Sequence, residues 1–426
     1  MRTHVPHTRR GAAYLVALLA GSIVTVTGLA ALSMTTTRAR TAALADQASS
    51  ARTLARSGMD HALCAISAHL DGGGTRSNIF GAASPSVTMG GGTFGWSLAR
   101  MDGSALGNTD EPIVVRAKAQ QGQARYALQG TLAPSGTPFD VLDTGMYVRD
   151  DIILGTLSNL TSDKVVAAGD DISANTATVS APIEAGGQVS GALFLGSTAS
   201  GAAERRAPDE SLIDHYVSLG QRIDVTSLPV SGSSRVLESV LLSPASNPYG
   251  ATNPYGIYIL DADDTKLHVR NVRVSGTLVI VDAEWDDVII GSGVLLQPAF
   301  DWMPSLIVDG GVTFMGSSSG PSESTLGLNL NPAHTPYLLE SDADTSDSYP
   351  GRIEGVSYIS GDAVFAYPRQ NIYGTMIIGD DAIIYGSTTV SITYNPRVAT
   401  MPPVGFFEDE GGLALDPSSI VWRIPD

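Results

Sequence analysis

The chain has 426 residues, of which 43% are hydrophobic, and a formal net charge of −18 at pH 7. Such an acidic chain lacks the basic footprint that phosphate binding needs, which argues against nucleic acid as a partner. Because Cys64 is the only cysteine, no intrachain disulfide can form and the fold must be held by its own core.

The first seventy residues differ from the rest in charge and in pattern. They hold seven arginines and two acidic residues. Met1–Arg10 precedes an uncharged run from Gly11 to Thr37, which as a helix would span roughly 40 Å and could cross a bilayer. Arginines before the run favour a cytoplasmic N-terminus. We therefore expect an inner-membrane segment followed by an exported, acidic ectodomain.

The helical pattern continues beyond the apolar run. Apolar residues recur at steps of three and four from Leu44 to Leu70, which indicates an amphipathic helix, and we expect Cys64 to lie buried on it. The pattern predicts one long helix over residues 12–70, of which the first half spans a membrane and the second half packs on a domain. Small residues in the first half would permit close approach of partner helices: Ala17, Gly21, Ser22, Gly28 and Ala31.

Two β regions follow the helix. Residues 75–134 contain short alternating segments and turn signals, which predict a small β unit packing on the helix. Residues 139–394 repeat a glycine motif, whose last two copies begin at Ile353 and Ile372. Paired aspartates at 150–151, 286–287 and 380–381 accompany this motif, and we expect them to lie at the corners of the rungs. These repeats predict a right-handed parallel β-helix, with a β-sandwich as the alternative fold.

The remaining residues, 395–426, are rich in proline. We expect them to pack extended along the β-helix and to cap its end through Phe406, Phe407 and Trp422, because open solenoid ends need covering.

Two segments match catalytic sequence patterns, but neither has the structural context that its pattern requires. Gly90–Gly95 fits a dinucleotide-binding pattern but precedes a strand rather than a helix, and Gly316–Gly320 lacks a strand-to-helix elbow. We therefore predict no catalytic residue, cofactor or metal. The alternative is Ca²⁺ at one of two acidic clusters, formed by Asp261, Asp263 and Asp264 or by Asp342, Asp344 and Asp347.

The segment from Arg9 to Val16 resembles the N-terminus of bacterial type IV pilin-like proteins, above all PilX-like minor pilins and the tip pseudopilins of type II secretion. The resemblance implies that a prepilin peptidase cuts between Gly11 and Ala12, which makes residues 1–11 a cytoplasmic leader. Val16 stands where most major pilins have glutamate, as in tip-type subunits. The stretch from Arg52 to Leu63 is similar to the helix of PilX-like proteins.

The sequence thus predicts a non-enzymatic, pilin-like structural subunit of a type IV pilus or a type II secretion-like filament. Its helix would partner the inner membrane and then other pilin-like subunits. Its β-helical module would serve adhesion, binding or tip capping at the cell surface, with a polysaccharide or a protein as ligand. The alternatives are a membrane-tethered carbohydrate-active β-helix enzyme and an uncleaved envelope scaffold.

Overall fold

The computed structural model describes residues 9–71, 86–101, 103–106, 112–366, 368–408 and 412–423. Most of the predicted leader and the start of the predicted small β unit lie outside these residues. The described chain is mostly β, with one long N-terminal helix, a small antiparallel sheet and a large parallel sheet. The predicted fold class is confirmed, and the parallel pairing excludes a β-sandwich. The right-handed coiling stays a prediction.

The N-terminal helix packs on the small sheet. Helix α1 is 63 residues long, and the apolar face of its second half lies against the sheet. The elements of this part in chain order are α1 (Arg9–Asp71), β1 (Val87–Met89), β2 (Gly92–Ala99), β3 (Ile113–Gln121) and β4 (Ala124–Ser135).

The chain then enters the β-helix. Its first strands are β5 (Met146–Val148), β6 (Ile152–Leu154), β7 (Asn159–Ser162), β8 (Val166–Ala168), β9 (Ile172–Ser180), β10 (Ile183–Ala185), β11 (Val189–Phe194) and β12 (Thr198–Ser200). Helix α2 (Ser211–Leu219) follows. The next strands are β13 (Gln221–Ile223), β14 (Val230–Ser231), β15 (Ser234–Leu242), β16 (Ile257–Asp261), β17 (Leu267–Ser275), β18 (Thr277–Ala283), β19 (Val288–Ile290), β20 (Val294–Gln297), β21 (Leu306–Gly310) and β22 (Val312–Phe314).

An insertion separates these strands from the last rungs. It holds β23 (Ser319–Ser322), α3 (Glu323–Leu326) and β24 (Ser348–Pro350). The final elements are β25 (Arg352–Ile359), β26 (Ala363–Phe365), β27 (Arg369–Ile378), β28 (Ala382–Ile384), β29 (Thr389–Thr393), α4 (Arg397–Thr400) and β30 (Gly412–Arg423).

The rungs are not stacked in chain order. On one face, parallel pairing gives the order β12, β10, β8, β5, β27, β25, β21, β18, β16, β13. The first rung, β5–β7, therefore pairs with the last rung, β27–β29, in the register Met376↔Met146 and Thr389↔Asn159. We call this junction the seam. The chain enters the β-helix at the seam and forms rungs out to one end. It then crosses to the other end through α2 and forms rungs back toward the seam.

The repeated glycine motif marks one rung. The copies at residues 353 and 372 stack in register, so that Gly355 pairs with Gly374. A Cβ atom on Gly374 would collide with the carbonyl oxygen of Gly355. Only glycine, which has no Cβ, permits this close approach of two backbones. The motif therefore recurs because each rung turns tightly against its neighbour.

An aspartate ladder follows one corner of the β-helix. The carboxylate of Asp362 accepts the backbone N–H of Asp381 (3.1 Å), and Asp381 accepts that of Asp151 (3.0 Å). Asp151 in turn accepts the N–H of Asp171 (2.8 Å), and Asp171 that of Gln188 (2.6 Å). Such side-chain acceptors satisfy backbone donors at corners, where the strand ladder is interrupted. The ladder runs across the seam.

The β-helix has an inner core and one covered outer face. The inner core is built mainly from inward-facing aliphatic side chains of the rungs, with the stacked rings of Phe314 and Phe365 among them. On the outer face, Leu212, Ile213 and Tyr216 of α2 pack with outward-facing residues of β16, β18 and β21. The Tyr216 hydroxyl donates to the carbonyl of Val404 at 2.9 Å. The connection between the two ends is thus fixed along the solenoid rather than loose.

The C-terminal segment corrects one expectation. Phe406 and Phe407 are buried, Phe406 on the outer face near the seam, together with Tyr147 and Ile377. Strand β30 leaves the β-helix and pairs antiparallel with β4, which places Trp422 on the small sheet. The prediction that the tail caps the solenoid end is therefore wrong. Strand β4 would otherwise be an unpaired edge, and β30 satisfies its backbone groups.

The seam yields a testable prediction. Asp381→Ala should lower the free energy of unfolding by about 1–3 kcal/mol, because it leaves the N–H of Asp151 without its charged acceptor. The measurement is urea unfolding of the full chain in detergent micelles. Asp380→Ala is the matched control: it removes an exposed ion pair with Arg149 (2.7 Å) and should cost less than about 1 kcal/mol. Equal losses in both variants would contradict a structural role for the ladder.

Candidate functional site

Helix α1 has two halves with opposite surroundings. Residues 14–46 are exposed throughout, and α1 is long and apolar enough to cross a membrane. A helix needs about 20 apolar residues to span the hydrocarbon core of a bilayer. The exposed large apolar side chains of this half are Tyr14, Leu15, Val16, Leu18, Leu19, Ile23, Val24, Val26, Leu29, Leu32, Met34 and Leu44.

The second half of α1 is anchored by ordinary core packing. Its buried residues Leu54, Ala55, Met59, Ala62 and Ile66 contact the inner face of the small sheet. They recur at steps of three and four, so they form one stripe. The backbone approaches the sheet closely at Gly58, where a Cβ atom would lie 3.2 Å from Phe94 and 3.3 Å from Ala117.

Polar and cationic contacts fix the helix on its sheet. The indole N–H of Trp96 donates to Nδ1 of His61 at 3.0 Å. The guanidinium of Arg52 lies 4.8 Å from the ring centre of Tyr126, and that of Arg56 lies 5.6 Å from the ring centre of Trp422. Each such cation–π contact contributes about 0.5–1 kcal/mol at an exposed site. The direction in which the apolar half leaves the sheet is thus set on both sides of the helix.

The structure places the predicted helix residues as follows. Ala17, Gly21, Ser22, Gly28 and Ala31 all lie on the exposed half, and a Cβ atom on Gly21 or Gly28 would meet no described atom within 4 Å. Gly11 and Ala12 lie in the first turns of α1. Cys64 is exposed, so the prediction that it is buried is wrong; at about 100° per residue it falls on the face of the helix away from the stripe.

The first predicted acidic cluster is not brought together. Asp261 pairs with Arg222 at 3.2 Å. Asp263 and Asp264 instead line an open groove of about 370 Å³, which we call the acidic groove. Four further acids that the sequence analysis did not group with them complete it: Asp282, Glu284, Asp287 and Asp309. Lys266 lies 2.6 Å from Asp287 and offsets part of this charge.

The second predicted acidic cluster lies in the insertion between β22 and β25. Asp342 and Asp344 lie near Glu323, so that one carboxylate oxygen of each lies within 4.8 Å of the others. Asp347 contacts this group through its backbone N–H, which donates to Glu323 at 3.1 Å. Glu323 could not be assigned to this group from the sequence, because it stands nineteen or more residues before the aspartates and has no local acidic neighbour.

Comparisons with known proteins do not identify a family for this chain. No protein-family model matches the chain, and neither does any curated protein. Among solved structures, the competence-associated pilin ComZ from Thermus thermophilus is 9% identical with a TM-score of 0.29, over 89% of this chain and 98% of that chain. The ice-binding protein of the Antarctic ascomycete Antarctomyces psychrotrophicus is 11% identical with a TM-score of 0.22, over 60% and 98%. Both TM-scores are too low to support a statement about this chain's function.

The division of α1 into an exposed half and a packed half can be tested by truncating one side chain in each half. Met59→Ala should lower the free energy of opening the contact between helix and sheet by about 2 kcal/mol or more, because it leaves a cavity in a packed core. Amide hydrogen exchange in β2 and β3 should then become roughly thirtyfold faster or more. Leu32→Ala is the matched control on the exposed half and should leave exchange unchanged. Equal effects of the two variants would contradict the division.

Proposed function

We propose that this chain is a non-enzymatic, pilin-like structural subunit that displays a β-helical module on an envelope filament. The exposed apolar half of α1 supports this proposal most directly. Burying apolar surface is worth about 25 cal/mol per Å², so an apolar helix half that no other described part of the chain covers calls for a bilayer or for neighbouring helices. The same segment would use the inner membrane before assembly and partner subunits afterwards.

The attachment of the β-helix supports a display function. The β-helix is inserted between β4 and β30, which are neighbours in the small sheet. The two connecting segments are themselves paired: the N–H of Phe139 donates to the carbonyl of Phe406 at 3.1 Å, and the N–H of Glu408 to that of Thr137 at 2.8 Å. A double connection resists rotation better than a single linker. The module would therefore be held in a defined orientation relative to the anchor.

The proposal extends to the filament and its ligand. Prepilin-type processing between Gly11 and Ala12 would admit the chain to a type IV pilus or a type II secretion-like system. Small residues such as Ala17, Gly21 and Gly28 would let partner helices approach closely. The β-helix would then bind a surface polysaccharide or a protein, or cap the filament tip. If this processing does not occur, the chain would instead be an uncleaved envelope scaffold.

Membrane association follows from the apolar half alone. Deleting residues 12–34 should yield a folded, water-soluble protein, because none of the buried residues that the structure describes in the small sheet's core lies in that range. Fractionation of cells expressing the deletion, with circular dichroism of the purified protein, measures both properties. Trp422→Ala is the control, since it alters the helix–sheet contact but keeps the apolar run. A deletion variant that still sediments with membranes would contradict the proposal.

The enzyme alternative makes a separate prediction at the acidic groove. If the chain were a carbohydrate-active enzyme, Asp282→Ala with Asp309→Ala would abolish polysaccharide turnover, because carboxylates serve as acid and base in that chemistry. We expect the unmodified full chain and the double variant to release no reducing ends from neutral or acidic polysaccharides. The measurement is a reducing-end assay in detergent. Turnover by the unmodified chain that is lost in the variant would establish the enzyme instead.

A further inference from the structure

The insertion between β22 and β25, residues 316–350, holds one turn in a fixed position on the outside of the β-helix. The guanidinium of Arg273, a buried residue of β17, donates to the carbonyls of Thr335 and Pro336 at 3.1 Å and 2.8 Å. The same guanidinium lies over the ring of Tyr337, 5.3 Å from the ring centre. The chain that leads into the turn is therefore anchored in the fold.

Two leucines form the end of this turn. The backbone N–H groups of Tyr337 and Glu340 each donate to the other residue's carbonyl at 2.9 Å, so only Leu338 and Leu339 lie between them. Their φ angles are 49° and 70°, as in a type I′ turn, which favours asparagine and glycine over leucine. The two leucines are 75% and 96% exposed, so contacts within the described chain do not account for their presence. We call this pair the leucine tip.

The surroundings of the leucine tip are acidic. The insertion contains no lysine or arginine, and residues 340–347 contain four acids, namely Glu340, Asp342, Asp344 and Asp347. An exposed apolar patch with a polar rim is typical of an interaction site. The negative surface of an anionic bilayer would repel these carboxylates. The tip therefore favours a protein partner that offers apolar surface beside basic side chains.

This chain carries a groove with those properties on its small sheet, where α1 lies against β4 and β30. The groove has a volume of about 510 Å³ and is lined by Ser49, Arg52, Thr53, Arg56, Tyr126 and Trp422. The rings of Tyr126 and Trp422 meet edge to face at 6.3 Å, and the two guanidinium groups lie over them. None of the described residues that line it is acidic. We call it the arginine groove.

We propose that the leucine tip of one copy docks into the arginine groove of a second copy of this chain. The leucines would cover the two aromatic rings, and Glu340 would face the two guanidinium groups. Because Leu339 is 96% exposed, the tip does not occupy the groove of its own chain. The contact is therefore heterologous, and its repetition would join copies head to tail. It uses no residue of the exposed apolar half of α1 and so goes beyond the proposed function.

Sedimentation velocity of the full chain in a neutral detergent provides the test. We expect self-association that weakens with added salt, because salt screens exposed charges. Leu338→Asn with Leu339→Gly should raise the dissociation constant at least about tenfold, since the apolar anchor of the contact is lost. The same variant should also raise the urea midpoint of unfolding, because Asn-Gly suits a type I′ turn. Lost association therefore cannot be attributed to misfolding.

Leu157→Asn is the matched control. Leu157 lies between β6 and β7 and is also an exposed leucine with a positive φ of 62°, so its replacement changes the same properties away from the leucine tip. It should leave the dissociation constant unchanged. Equal association of this control and the tip variant would overturn the proposal.

A pair of charge reversals tests which surfaces meet. Arg52→Glu and Glu340→Lys should each associate at least about tenfold more weakly alone, because each places like charges in the contact. An equimolar mixture of the two variants should associate more tightly than either, since each tip then finds a groove of opposite charge. A mixture no better than its components would overturn the proposal.

A full chain that sediments as a single copy at every concentration would also overturn the proposal and would leave the leucine tip to another partner, such as lipid. That result would not affect the proposed membrane anchor, which the deletion of residues 12–34 tests separately.

Discussion

The structure depends on backbone pairing across the seam, where the first and the last rungs of the β-helix meet. A parallel strand is stable only beside a neighbouring strand, because its N–H and C=O groups must be paired or solvated. At the seam the neighbour comes from the far end of the domain: β5–β7 pair with β27–β29. Neither half of the solenoid is complete until the other has formed. The aspartate ladder and the Arg149–Asp380 ion pair bridge the same junction.

The seam also explains the connection to the anchor. Because the β-helix begins and ends near one place, its two ends can leave together and join adjacent strands, β4 and β30, of the small sheet. The small sheet in turn buries the second half of α1. A continuous path of packed and hydrogen-bonded elements thus runs from the exposed apolar helix to the solenoid. Force or orientation imposed on the helix would be transmitted to the module.

Much of this architecture could be predicted from local patterns. The stripe of α1 and the 19-residue repeat at Gly355 and Gly374 both reflect contacts between residues close in sequence or in adjacent rungs. The rung order could not be predicted, because Met146 and Met376 pair across 230 residues without any local signal. For the same reason the pairing of β30 with β4 could not be predicted from the sequence. Sequence proximity also groups Asp261 with Asp263 and Asp264, although its carboxylate pairs with Arg222, and it gives no signal that the fold brings Glu323 to Asp342 and Asp344.

We propose that the apolar half of α1 makes this chain a processed filament subunit. The most direct test is the intact mass and N-terminal sequence of the protein extracted from its native envelope. We expect a mature chain that begins at Ala12 and retains the whole exposed half of α1. A chain that begins after Ser33 would have lost the apolar run as an ordinary secretory signal, and it would contradict membership of a filament through α1.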